Sequence, residues 1–297
     1  MHLIVILLGL TGVLGKLIDT GSTVLVWYRM LIAFLFLGVY IYIKSNSLRV
    51  SKKHFIQIIG IGCIVAAHWL LFFESIKVSN VSVAVVCMGT SSLFSSVIEP
   101  LIIKRKIYLR EIILAILVLI AIGIAMNADF SYLKGYVFGI AAAFLATLFT
   151  ILNALYVDKV ESEKITSIEM LGGFLFVCIY MMFSNSFSLA DLVISWNDLL
   201  YLSILGGICT SFAFVVSVEV MKFLSPYNVI MAVNLEPVYS ILLALVLFGE
   251  SESMNFSFYL GAVLIISAVS LDGYLKKQED KKSIKLKLVI FVITLYF

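Results

Sequence analysis

A glutamate, an asparagine and a proline stand close together in one of the long apolar stretches of this sequence. The stretch reads VNLEPVYS and begins at Val233. Pro237 has no amide hydrogen to donate to the carbonyl of Val233, so a helix running through this point must open there. Glu236 could bind a proton or part of a solute at the bend, with Asn234 and Tyr239 as neighbouring polar groups. A structural kink, in which Glu236 caps the freed backbone groups, is the competing interpretation.

A histidine and a tryptophan lie near the middle of a second apolar stretch, AAHWLLFF. An imidazole titrates in the physiological range, so His68 could carry protons. Trp69 and Phe72 could wall an aromatic pocket beside it. Hydrogen bonding between helices is the simpler alternative for His68 and Trp69.

Four further charged residues fall within or beside apolar runs, where a charge is costly unless it is paired or hydrated. Lys16 and Arg29 could attract an anionic or zwitterionic solute, or extend their charged ends to the membrane surface. Glu99 precedes the basic cluster 104–106, where a gate or a salt bridge competes with the same extension. Glu169 has a predicted depth that matches Arg29 from the opposite side, so the two are either gate positions or surface anchors.

A row of hydroxyls in the stretch GTSSLFSS includes Ser91 and Ser92. Small residues allow helices to approach closely. The row therefore serves either helix packing or contact with a ligand.

The elements that position these residues follow from the composition. The chain has 297 residues, of which 62% are hydrophobic and 13% charged, and its mean hydropathy is +1.13. A soluble domain has about a quarter of its residues charged, so the outer surface of this chain must face lipid. Because backbone groups in lipid must be satisfied within each segment, we expect helices of about 20 residues. The sequence predicts an all-α integral membrane protein with ten helices, at 2–18, 23–43, 55–75, 80–103, 110–127, 135–157, 166–187, 198–218, 226–248 and 255–275.

The distribution of basic residues predicts the orientation. With the N-terminus in the cytoplasm, all 21 lysines and arginines lie on the cytoplasmic side except Lys16, Arg29, Lys77 and Lys134. Such a bias is typical of cytoplasmic loops. We therefore expect a multi-pass protein of the cell (inner) membrane with both termini in the cytoplasm.

The sequence also repeats itself. RMLIAFLFLGVYIY (29–42) and EMLGGFLFVCIYMM (169–182) share six of fourteen residues, and ESIKVS (74–79) matches EVMKFL (219–224) at both charges. Two five-helix halves, 1–130 and 131–277, are predicted, followed by a basic and apolar tail at 278–297. Since five is odd, the second half must enter the membrane inverted, as in many secondary transporters.

Two segments resemble the EamA-type permeases of the drug/metabolite transporter superfamily. They are SIKVSNVSVAVV (75–86) and VMKFLSPYNVIMAVNLEPVYSILLALVLFGES (220–251), and the likeness extends over 1–277. The apolar end of the tail, 286–297, has no counterpart in that family. The resemblance implies a secondary transporter that exports small metabolites, such as amino acids or related solutes, by alternating access. We infer a central cavity lined by helices 1, 3, 4, 6, 8 and 9. Proton coupling through His68 or Glu236 is a hypothesis drawn from their ionisable side chains. A homodimer is one assembly that the sequence leaves open.

Other classes of function have little support in the sequence. It contains no GxSxG, Walker A, GxGxxG or HExxH motif, so we expect no catalytic residues, no cofactor and no metal site. The basic clusters are short and follow helix ends, which fits anionic lipid rather than nucleic acid. A non-transporting membrane scaffold or sensor is the main alternative, and a membrane-embedded lipid-modifying enzyme is a more distant one.

Overall fold

The computed structural model describes residues 2–44, 50–104, 106–107, 109–126, 130–184, 188–268, 270–271 and 273–275. All regular secondary structure in these residues is helical. The tail predicted at 278–297 lies outside them.

The main helices, in chain order, are α1 (His2–Leu17), α2 (Ser22–Ile43), α3 (Lys52–Val78), α4 (Val81–Ile103), α5 (Leu109–Met126), α6 (Leu133–Ala154), α7 (Ser162–Phe183), α8 (Trp196–Val220), α9 (Pro226–Glu252) and α10 (Phe256–Leu275). Eight of them are long and apolar enough to cross a membrane. The shorter two, α1 and α5, have 16 and 18 residues. The chain is therefore a multi-pass membrane protein, and the count of ten crossings stays a prediction.

Local sequence explains where several helices begin and change. The Ser51 hydroxyl accepts from the amide of His54, so α3 starts at Lys52, three residues earlier than the sequence predicts. Ser225 caps α9 in the same way, with Pro226 in its first turn. Within α8, residues Gly207–Phe212 form a π-helical stretch that the sequence analysis does not predict.

Helices at equivalent places in the two halves have matching bounds. Shifting α2 by the offset of the first sequence match gives the bounds of α7. Helix α4 is interrupted between Met88 and Ser91, and α9 between Val233 and Glu236, which are equivalent points under the offset of the second match. In α9 the interruption lies at the Asn234–Pro237 stretch, so the predicted opening of this helix is confirmed.

Equivalent helices run in opposite directions. Lys44, just after α2, pairs with Glu163 in the first turn of α7. Glu252, at the end of α9, accepts hydrogen bonds from the first amides of α4. We name the two ends of the bundle the Lys44 end, where α2 ends, and the Lys16 end, where α1 ends.

Two glycines bring the backbones of α3 and α7 into contact. A side chain at Gly62 would lie 2.8 Å from the Cα of Glu169, and one at Gly172 would lie 2.5 Å from the carbonyl oxygen of Ile59. Glycine at both points lets the backbones touch, because each lacks the carbon that would collide. Helix α3 also packs along α6, which places the middle of α3 deep in the bundle.

Candidate functional site

A cavity of about 110 Å³ lies between the two halves. Side chains from α1, α2, α3, α4, α6, α8 and α9 line it, so α2 joins the helices that the sequence predicts. It extends from the middle of the bundle, at Arg29 and Glu236, towards the Lys44 end, at Asn153 and Met221. Five of the predicted cavity residues are in its wall: His68, Trp69, Ser91, Asn234 and Glu236.

Arg29 is the buried cation of this cavity. Its side chain is 1% exposed, and its guanidinium carbon lies 3.7 Å from the ring centroid of Trp69. Its Nε donates to Thr210 Oγ1 at 2.7 Å, while one terminal nitrogen has no partner in the described residues. Extension to the membrane surface is therefore wrong for Arg29, because helix packing encloses the side chain.

The π-helical stretch of α8 positions the acceptor for Arg29. Thr210 donates its own hydroxyl hydrogen to the carbonyl of Leu205, five residues earlier, at 2.7 Å. The hydroxyl oxygen therefore has its lone pairs free to accept from Arg29. A π-bulge at this point is consistent with the frequent placement of such bulges at functional sites.

Glu236 is the buried carboxylate of the same cavity. It opens the second segment of α9 and is 6% exposed. Arg29 acts on it electrostatically, but the two described side chains form no direct ion pair. The Nδ2 of Asn234, next to the helix interruption, is buried and has no partner among the described residues. The cavity thus holds opposite charges separated by space.

His68 is bound to the neighbouring helix. Its Nδ1 lies 2.8 Å from the carbonyl oxygen of Ala142 on α6. A carbonyl only accepts, so Nδ1 carries a hydrogen. The predicted interhelical hydrogen bond is therefore present, and the imidazole also contacts the ring of Phe149.

Three residues predicted for the cavity lie outside its wall. Phe72 stacks behind His68, with ring centroids 6.1 Å apart. Ser92 donates to the carbonyl of Gly89 in its own helix. Tyr239 packs against Gly9 of α1.

Several lining residues have no counterpart in the sequence analysis, among them Phe149, Asn153 and Phe214. Apolar and small polar residues of this kind are too common in membrane helices to stand out. Phe214 could have been found from the sequence, because the second repeat match makes it the equivalent of Trp69 in the other half.

Lys16 and Glu252 close the Lys16 end of the bundle. Lys16 Nζ is 2.7 Å from Glu252 Oε1, in an ion pair whose acidic member is fully buried. The Glu252 carboxylate also accepts from the amides of Val81 and Ser82, both at 3.0 Å, and from the Ser82 hydroxyl. A carboxylate is favourable at a helix N-terminus, so this cluster joins α1, α4 and α9.

The remaining charged candidates are also enclosed. Glu99 is 2% exposed and accepts from Ser95 at 3.3 Å, so its extension to the surface is wrong. Glu169 is fully buried, which excludes surface anchoring. Both carboxylates lie inside the helix bundle, and neither reaches its surface.

At the Lys44 end the charges are paired at the surface. Lys44 Nζ donates to Glu163 at 2.7 Å, and this hydrogen bond and the carboxylate charge raise the pKa of Lys44. Glu219 accepts from Ser162 at 2.7 Å and pairs with Lys222. These contacts join α2, α7 and α8 at the Lys44 end of the cavity.

Comparisons with known proteins were made against families, curated sequences and solved structures. The model of the EamA-like transporter family matches residues 1–127 and again residues 133–271. No curated protein matches. One crystal structure superposes with a TM-score of 0.69 at 16% identity, covering 91% of this chain and 95% of that one. At this identity the likeness shows the fold alone.

Proposed function

The chain belongs to the EamA-like transporter family, and we propose that it exports small zwitterionic metabolites, such as amino acids, by alternating access. Members of this family are membrane transporters rather than enzymes. The observation that carries the proposal is the pair of buried, opposite, unjoined charges of Arg29 and Glu236 in one cavity between the two halves.

The charges fit the two ends of an amino acid. The unpaired nitrogen of Arg29 can donate to a carboxylate, and Glu236 can accept from an ammonium group. A solute that joins them would satisfy the free terminal nitrogen of Arg29 and would neutralise two buried charges that form no ion pair within the described residues. Such compensation is strongly favourable at low dielectric. The rings of Trp69, Phe149 and Phe214 supply apolar walls for the rest of the solute.

The size of the cavity limits what this conformation holds. Ligand pockets usually occupy about 300–1,000 Å³, and this one has about 110 Å³. A solute larger than a small amino acid would need the halves to move apart. We therefore interpret the structure as a largely closed state, with the Lys16–Glu252 pair securing one end.

The proposed motion uses two inverted repeats of five helices each, ten crossings in all, with both termini in the cytoplasm. Matching helix bounds, equivalent interruptions in α4 and α9, and antiparallel equivalent helices support this arrangement. Since the halves are related by inversion, rocking one against the other can expose the cavity to either side. The basic loops support the cytoplasmic placement of the Lys44 end.

Reconstituted protein can test the proposal. Liposomes preloaded with a neutral amino acid, taking leucine, methionine, phenylalanine and threonine in turn, should accumulate the radiolabelled form by counterflow. Arg29→Met and Glu236→Gln should abolish the uptake, because each removes one of the two charges that bind the solute. Counterflow that survives both substitutions would contradict the binding role of Arg29 and Glu236. No counterflow of wild type with any of the four amino acids would favour a non-transporting scaffold.

A further inference from the structure

A second polar pair lies beside the transport cavity. Glu169 on α7 is fully buried, and neither of its carboxylate oxygens has a hydrogen-bond partner in the described residues. The amide of Asn153 on α6 is also fully buried and unpaired at both atoms, and it is close enough to act on the carboxylate. Asn153 lines the cavity whereas Glu169 does not. Asn153 therefore lies between the cavity and the buried Glu169 carboxylate.

Helix packing keeps water away from Glu169. The backbone of Glu169 lies against Gly62 of α3, where any side chain would collide. Helices α2 and α8 cover α7 on its other sides. The side chain is consequently enclosed by packed helices, and Asn153 is the polar side chain that acts on it.

Charged and titratable groups on the surrounding helices are held elsewhere. Arg29 of α2 is bound to Thr210 and Trp69, and His68 of α3 to Ala142. On α7 itself, Glu163 pairs with Lys44 and Lys164 with Glu161, and on α8 Glu219 pairs with Lys222. None of these described groups forms a hydrogen bond or ion pair with Glu169.

The chemistry of Glu169 and Asn153 indicates that a proton is the group that would satisfy both side chains. An ionised carboxylate only accepts hydrogen bonds, so the Asn153 nitrogen could donate to it. The Asn153 oxygen would then stay unsatisfied and the charge would have no counter-ion among the described residues, which costs several kcal/mol in a buried site. A protonated carboxyl group can donate to the Asn153 oxygen and accept from the Asn153 nitrogen, so both side chains become satisfied by the addition of one proton. Protonation is thus the state that this closed arrangement favours.

We propose that Glu169 is the proton-binding site of the carrier and exchanges its proton with cavity water past Asn153. The site is separate from the solute-binding charges Arg29 and Glu236, and it replaces His68 and Glu236 as the predicted coupling group. Only an O–H bond forms and breaks: the proton comes from water on one side of the membrane and returns to water on the other. This coupling role rests on the proposed transport function, whereas proton binding does not.

Infrared spectroscopy of the purified protein tests proton binding without any solute. A buried protonated carboxyl group gives a C=O stretch distinct from that of a carboxylate. At neutral pH, we expect this band to be weaker in Glu169→Gln than in wild type. Glu163→Gln is the matched control on the same helix and should leave the band unchanged, because Glu163 is ionised beside Lys44. Identical bands in wild type and Glu169→Gln would overturn the proposal.

A second variant covers the case in which Glu169→Gln does not fold. Asn153→Ala should retain the band but shift its frequency, since the hydrogen bonds to the amide are lost. A band that does not respond to Asn153→Ala would contradict the pairing.

Transport assays separate this inference from the proposed function. Glu169→Gln should retain counterflow, which needs no driving force, and lose accumulation driven by a pH gradient. Glu250→Gln, at an exposed position, should retain both. If wild type shows no counterflow, the transport proposal fails and the infrared result still decides proton binding. If Glu169→Gln still follows the pH gradient, Glu169 is not the coupling group.

Discussion

The rings of Trp69 and Phe214 meet edge to face, with centroids 5.9 Å apart and planes at 68°. The two residues hold equivalent positions in the two halves, since the match that aligns Glu74 with Glu219 also aligns them. Equivalent side chains from oppositely running helices therefore touch in the cavity wall. The axis that relates the halves passes close to this contact, so the proposed solute binding and the proposed motion of the halves would involve the same residues.

Replacing Trp69 should weaken solute binding. Its ring supports the Arg29 guanidinium, and a cation–π contact contributes about 0.5–2 kcal/mol. Trp69→Ala should therefore lower the affinity for a neutral amino acid by roughly 2- to 30-fold, measured from the concentration dependence of counterflow. Trp196→Ala is the control, since that side chain is 85% exposed on α8. Equal losses in the two variants would contradict a role for the Trp69 ring.

Thr210 should hold Arg29 through a single hydrogen bond. Thr210→Val keeps the shape of the side chain but leaves Nε of Arg29 buried without an acceptor. Such a loss costs about 1–3 kcal/mol, which should lower the unfolding temperature in detergent. Thr210→Ser retains the hydroxyl and should stay near wild type. A valine variant as stable as the serine variant would show that water replaces the hydroxyl.

Gly62 should be essential to the contact between α3 and α7. A methyl group there collides with the backbone of Glu169, whereas one at Gly60 meets nothing within 4 Å. We expect Gly62→Ala to destabilise the protein by about 1–3 kcal/mol. Gly60→Ala should be neutral or stabilising by up to about 1 kcal/mol, because alanine favours helix more than glycine does. Thermal unfolding of both variants checks this, and the prediction is wrong if their order is reversed.

Glu252 should matter more than Lys16 to the Lys16 end. Glu252→Ala leaves two buried amides of α4 without an acceptor, at about 1–3 kcal/mol for each unsatisfied group. Lys16→Met removes the ion pair but leaves the helix cap intact, so its effect should be smaller. Glu250→Ala removes an exposed carboxylate two residues away and should stay within about 0.5 kcal/mol of wild type. A Lys16 variant less stable than the Glu252 variant would indicate that the ion pair dominates.

The orientation can be tested by labelling. Gly21 and Ser51 are exposed at opposite ends of the bundle. In intact cells, a membrane-impermeant maleimide should label Gly21→Cys at once and Ser51→Cys only after permeabilisation. Wild type sets the background, because its four cysteines are free but buried or half-buried within helices. Labelling of Ser51→Cys in intact cells would reverse the proposed topology.

Sequence repeats predicted the fold more fully than they predicted the site. The offsets found in the sequence match the helix bounds of the structure, and Pro237 marks the interruption of α9. His68, Trp69, Asn234 and Glu236 were placed at the cavity from their polarity or aromatic character within apolar runs. Phe72 and Tyr239 were misplaced, because one residue along a helix rotates the side chain by about 100°, from a cavity to a neighbouring helix.

The sequence by itself determined that this protein lies in a lipid bilayer, that it is helical and that it consists of two repeats. These properties follow from composition, from lengths of apolar runs and from local breakers such as proline, all of which are independent of distant contacts. The tertiary structure decided that Arg29 turns into the cavity and that Glu169 is sealed behind Asn153. The direction of a charged side chain depends on the rotation of each helix about its own axis. Close contacts such as that of Gly62 with Glu169 fix this rotation, and they join residues far apart in the chain.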